Sequence, residues 1–166
     1  MTSILINSQS INSLDLSPAK KIIDPILKQH GDEAIAKEAI QSLEQQLSFK
    51  IEYPLEPGDP REISEIPEIR LWFVRLDACY PWLPWFLDWQ SGEFVRYAAM
   101  LVPHQFNSKE GIQYNPEALE IFLMQKIFIL SDWLQTYSIP SSSRLKSMAQ
   151  LLGYDLDDAL FEMLKT

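Results

Sequence analysis

The sequence predicts an α+β fold: a mainly antiparallel sheet of about four strands, packed by a long apolar helix and a C-terminal helical hairpin. Three observations carry that expectation. Residues 116–137 are apolar around most of a helical circumference. Two nearly continuous apolar runs, 71–76 and 94–102, have the composition of interior strands. Phe49, Ile51 and Tyr53 alternate with Lys50 and Glu52, as in a strand with one wet face. With 166 residues, 46% of them hydrophobic, the chain forms one domain over residues 1–166 and can bury about 70% of its unfolded surface.

Taken in order, Thr2–Ile6 reads as a short strand. Ser17 before Pro18 starts a helix, because the Ser oxygen satisfies a free N–H and Pro gives up a donor that has no partner there. Pro25 is expected to break or kink that helix. A second helical stripe from Asp32 comprises Ile35, Ala36, Ala39, Ile40, Leu43 and Leu47. Residues 54–68 hold Pro54, Pro57, Pro60, Pro67 and Gly58, which exclude a regular helix or central strand and imply an extended surface loop. Arg75 and Arg96 sit inside the two apolar runs, where each needs a carboxylate or carbonyl. Asp77, Asp88 and Glu93 are the nearest candidates for a salt bridge; the alternative is a fork for a carboxylate or phosphate ligand. Asn115-Pro116-Glu117 combines a cap, a rigid first residue and an acid, and opens the long helix. Pro140 with Ser141, Ser142 and Ser143 ends it and caps the next helix, which Gly153 terminates. Asp155 is expected to cap a last helix through Leu164.

Lys and Arg number 14 against 23 Asp and Glu, a formal charge of −9. Such a chain repels a polyanion, which argues against general nucleic-acid binding. Residues Met148 to Tyr154 read like the first helix and turn of a helix-turn-helix. The helix after them carries Asp155, Asp157, Asp158 and Glu162 against Lys165, so a helical hairpin on the core is expected. The single cysteine, Cys79, excludes an internal disulfide and a Cys-based cluster. With His30 and His104 it gives no metal-ligand spacing, and no cofactor is expected. No motif joins Cys79 to His104, so a thiol–imidazole pair is not favoured. The five glycines stand singly and form no phosphate loop. The N-terminus lacks the pattern of a signal peptide, and the most apolar window, 118–130, is too short to span a bilayer. A cytoplasmic protein is expected.

Trp72, Trp82, Trp85 and Trp89 crowd into one stretch, and Pro84 would open a short helix with Trp85 and Trp89 on one face. Such rings either belong to the core or, with Tyr80, form a face for a partner protein, where indole is enriched. The acids Glu56, Asp59, Glu62 and Glu65 of the Pro-rich loop are either a solvated connector or an arm that steers a basic partner. Together, Tyr80, Trp82, Trp85, Trp89 and these acids are the expected partner-binding residues. A second, enzymatic reading gathers Arg75, Arg96, Asp77 and His104 around a pocket. His104 would then act as acid or base, and the arginines would hold an anionic substrate. A third reading buries the tryptophans in a homo-oligomer.

Longer strings carry a resemblance: Ile69-Arg-Leu-Trp-Phe-Val-Arg-Leu-Asp77, Tyr80-Pro-Trp-Leu-Pro84 and Tyr97-Ala-Ala-Met-Leu-Val-Pro-His-Gln-Phe106. Gly111-Ile-Gln-Tyr-Asn-Pro-Glu-Ala-Leu-Glu120 and Leu151-Leu-Gly-Tyr-Asp-Leu-Asp-Asp158 continue it. Over about residues 50–165 the chain resembles the chlororespiratory-reduction family, sixth member. The resemblance implies a soluble, non-enzymatic assembly factor for the NAD(P)H dehydrogenase-like complex (NDH-1) of cyanobacteria and chloroplasts. It implies a protein client, the small iron–sulfur subunit of the peripheral arm, and no catalytic residue. One cysteine is too few to hold an iron–sulfur cluster, so the chain would hold the client's polypeptide.

Overall fold

The structure, a computed structural model, describes residues 1–28 and 33–165. His30, Gly31 and the expected helix start at Asp32 lie outside the described residues.

Strand β1 (Thr2–Asn7) pairs in parallel with β2 (Leu47–Glu52), in a register running from Thr2↔Leu47 to Asn7↔Glu52. Between them come α1 (Ser8–Asn12), α2 (Ser17–Lys28) and α3 (Glu33–Ser42). That helical crossover accounts for the direction, since a tight turn would return the chain antiparallel. Ile4 and Ile6 of β1 and Leu47 and Phe49 of β2 are buried, so alternation turns one face of the pair into the core. The helix expected at Ser17 starts there, with Asp15 accepting the Ser17 N–H at 2.9 Å. Pro25 does not end it: the helix continues to Lys28. Pro25 is exposed and one turn from the helix end, where water replaces the lost donor.

The Pro-rich loop is shorter than expected. Ile63–Glu65 form a 3-10 turn, Ser64 and Ile66 are buried, and Pro67 already belongs to a helix. The two apolar runs are helices, not strands. They lie in α4 (Pro67–Cys79) and α5 (Glu93–Leu101). Pro67 occupies the first turn of α4, and Gly92 enters α5 from the left-handed region at φ +79°. On α4 the buried residues are Ile69, Trp72, Phe73 and Leu76, a helical spacing, while Leu71 and Val74 face outward.

With those runs helical, the expected four-stranded sheet is replaced by two separate two-stranded sheets. The second is the hairpin of β3 (His104–Asn107) and β4 (Gly111–Tyr114). Asn107 accepts the Lys109 N–H at 2.9 Å and Gly111 takes φ +76°, which together turn the chain between them. The long helix α6 (Pro116–Thr136) opens as expected, with the Asn115 side chain accepting the Ala118 N–H at 3.0 Å. The hairpin of α7 (Ser142–Leu151) and α8 (Asp158–Leu164) packs against it. The cap of α8 is Asp157, not Asp155; its side chain accepts the Ala159 N–H at 2.9 Å. Buried faces of all these elements meet in one hydrophobic cluster centred on Trp72, Phe73, Trp85, Phe86, Phe94, Tyr97, Leu123 and Ile127. Among the described residues, no helix is long and apolar enough to cross a membrane.

Candidate protein-binding surface

The aromatic stretch after α4 turns inward. Leu83–Phe86 form a 3-10 turn whose four side chains are all buried. Trp85 and Trp89 are therefore not on a shared helix, although a common cation joins them. The Arg144 guanidinium carbon, supplied by α7, lies 3.8 Å from the centre of the Trp85 ring and 4.6 Å from that of Trp89. Arg144 also donates to the Trp85 carbonyl and pairs with Glu44, and burial pulls its pKa down to about 9. Trp89 donates to the Pro84 carbonyl at 2.9 Å. Tyr80 donates to Asp24 at 2.6 Å and is 6% exposed, against 1% for Trp85 and 8% for Trp89. Burial, with Asp24 beside it, pushes the Tyr80 phenol well up. These three rings are core, which corrects the expectation that they form an outward face. Trp82 is half-buried, stacked at 4.8 Å on Trp133 of α6 and edge-on to Tyr80 and Phe86.

The four side chains of the enzymatic reading each serve a different partner, and none is bonded to another. Arg75 is exposed and donates to the Leu14 carbonyl at 2.6 Å. Asp77 accepts from Lys126 and from Tyr97. His104 is hydrogen-bonded to Ser64 at 2.9 Å and to the Val102 carbonyl at 3.0 Å. Arg96 takes the expected salt bridge, to Glu93 at 3.1 Å, and donates to the Phe49 carbonyl at 3.0 Å. Glu93 in turn accepts the Phe49 N–H at 3.0 Å, and the Asp88 N–H donates to the Leu47 carbonyl at 2.8 Å. Side chains of α5 thus stand where a third strand would bond the outer edge of β2. Glu93 is 4% exposed, and burial raises its pKa against the opposing pull of Phe49 and Arg96.

The residue that sequence reasoning missed is Lys126, fully buried on α6 and paired with Asp77. Burial lowers its pKa, with Asp77 opposing that shift. Tyr97 is pushed well up by burial and by Asp77. Asp77, Tyr97 and Lys126 therefore pin α4, α5 and α6 together. The only sequence signal is a lysine whose helical neighbours on the same side are all apolar.

Among the expected acids, Asp59 is neutralised at home. Arg61 binds it with both Nε and a terminal nitrogen and holds its carboxyl down at about 2. Glu65 accepts the Glu62 N–H at 2.7 Å and closes the 3-10 turn. Glu56 and Glu62 are exposed. Glu62 and Arg96 both line a groove of about 410 Å³ whose other lining includes Ile51, Ile63, Val95, Met100 and Ile112. This groove brings the acidic segment together with an apolar lining, β2, α5 and the hairpin. It contains neither Asp77 nor His104. Among the described residues, no group of three or more His, Cys, Asp or Glu is placed to hold a metal ion.

Fold and surface define a mixed α+β protein whose buried ionisable groups are engaged in internal pairs and whose exterior offers a mostly apolar groove lined also by Glu62 and Arg96. The Chlororespiratory reduction 6 family model matches residues 6–163, and the chain belongs to that family. The match reaches upstream of the strings quoted above and takes in the end of β1, the crossover helices and β2. No solved structure matches the chain.

Proposed function

We propose that this chain is a non-enzymatic assembly factor of the NDH-1 complex. It binds and helps mature the small iron–sulfur subunit of the peripheral arm, in the cytoplasm of a photosynthetic cell. The observation that carries this reading is the family match over residues 6–163. The surface supports it: the net charge is −9, and Glu56 and Glu62 are exposed and attract a basic segment over a distance of about one Debye length. The client's polypeptide, not its cofactor, is what this chain holds. Glu56 and Glu62 steer; Asp59 and Glu65 shape the segment that presents them.

The test mixes the purified chain with the purified small iron–sulfur subunit and follows complex formation by size-exclusion chromatography and calorimetry. A defined complex is expected, whose association rate falls as salt rises. Absence of binding to that subunit, or turnover of a small anionic metabolite by the purified chain, overturns the proposal.

A further inference from the structure

The long helix has a second face. Ile121 and Phe128 lie at helical spacing on the side of α6 away from the core, with half-buried Met124 and exposed Gln125 between them. Ile121 is 64% exposed and Phe128 47%. Their buried counterparts Leu119, Leu123, Ile127, Leu130 and Leu134 face inward. An outward apolar stripe on a helix already packed on its other side is not required by the fold. The exposed charges of this helix are all of one sign. Glu117 and Glu120 lie at its N-terminal end, Asp132 at its C-terminal end, and all three are exposed. The helix has a single base, Lys126, and that is buried against Asp77.

We propose that this stripe docks an amphipathic helix of a partner protein, whose apolar seam is bordered by Lys and Arg. The inference rests on the assembly-factor reading and names the partner's chemistry. From Glu117 to Asp132 the stripe runs about 22 Å, long enough to seat about four turns of such a helix. A basic border meets Glu117, Glu120 and Asp132. A second copy of this chain does not fit. Paired antiparallel, the copies set Glu117 against Asp132; paired parallel, they set each acid against itself. An anionic lipid surface is repelled by the same groups.

The experiment uses the full chain and two synthetic amphipathic peptides of about 18 residues, one built from Leu and Lys and one from Leu and Glu. The chain is expected to bind the Leu/Lys peptide, with affinity falling as salt rises, and not the Leu/Glu peptide. Ile121→Asp combined with Phe128→Asp should weaken binding about tenfold or more. That direction is diagnostic, because the variant is more acidic and a purely electrostatic association would tighten. Glu117→Lys with Asp132→Lys should weaken it as well. All four positions are solvent-facing, and circular dichroism with thermal melting confirms that the variants fold. The inference is overturned if the chain ignores the Leu/Lys peptide or binds both peptides alike. It is equally overturned if the apolar variant binds undiminished, or if these substitutions abolish a self-association or an attachment to phosphatidylcholine vesicles. The iron–sulfur subunit separates the two readings. If it is captured equally by the chain and the apolar variant, the stripe is refuted and the assembly reading stands. If the chain binds the Leu/Lys peptide but never the subunit, the stripe stands and the client assignment falls.

Discussion

Lys126 and Asp77 form an ion pair with the lysine wholly out of water and the carboxylate 20% exposed. Removing Asp77 therefore strands a cation that water cannot reach, and removing Lys126 leaves a carboxylate that is only partly solvated. Lys126→Met should cost about 3 kcal/mol in denaturant unfolding, because Asp77 loses its cation and keeps only the Tyr97 hydroxyl. Combining it with Asp77→Leu should recover much of that loss, and a double-mutant cycle measures the coupling. Glu93 gives a pH signature. Its folded pKa lies above the ordinary 4.5 because it is buried. Between 4.5 and the folded value the native state holds the proton that the unfolded state releases, so stability from this group falls as pH rises, then levels off. Glu93→Gln cannot titrate, so its stability relative to the parent should improve as pH rises through that window. Urea unfolding from about pH 4 to pH 8 checks the sign. Of these pairings, only Arg96–Glu93 was legible in the sequence, because the two are one helical turn apart. Lys126 and Asp77 are 49 positions apart, and nothing local links them.

The helices α4 and α5 show why an apolar run is ambiguous. Leu71 and Val74 face solvent, so the helical period of Ile69, Trp72, Phe73 and Leu76 is hidden beneath a continuous hydrophobic string. The boundary signals were the better guide: Pro67 with Glu68, and Gly92 with Glu93, are helix starts. The same logic located α6 correctly from Asn115-Pro116-Glu117. The parallel direction of β1 and β2 is a property of three intervening helices and could not be read from either strand. Gly92→Ala should cost about 1 kcal/mol, because a Cβ is strained at φ +79° although nothing lies near enough to clash with it. A loss confined to stability, with α5 still formed by hydrogen exchange, is the expected result.

At the scale of the whole molecule the tryptophans are buried or half-buried scaffold and most of the acids lie at the surface. Trp85 is sealed by Arg144, so Trp85→Ala should destabilise the protein by about 4 kcal/mol. Any loss of client binding in that variant should track the unfolded fraction, as thermal melts run alongside binding assays would show. From the sequence these rings belong either to the core or to an interface, because indole is common at both. Sequence reasoning could not see α7 returning a cation across 59 residues to cover them. Of the expected acids Glu56 and Glu62 are exposed, Asp59 and Glu65 are half-buried, and the ion pair of Asp59 with Arg61 removes that carboxylate from long-range attraction.

The parallel register of β1 with β2 also orders events at the ribosome. Strand β1 finds its ladder only after residue 52 has emerged, and Leu14 and Asp15, which follow it, are bonded by Arg75 and Trp72 later still. Until then Ile4 and Ile6 are bare hydrophobic side chains on a nascent polypeptide. The chain therefore passes through a vulnerable interval of its own, in which β1 stays bare until partners from well downstream arrive to shelter it.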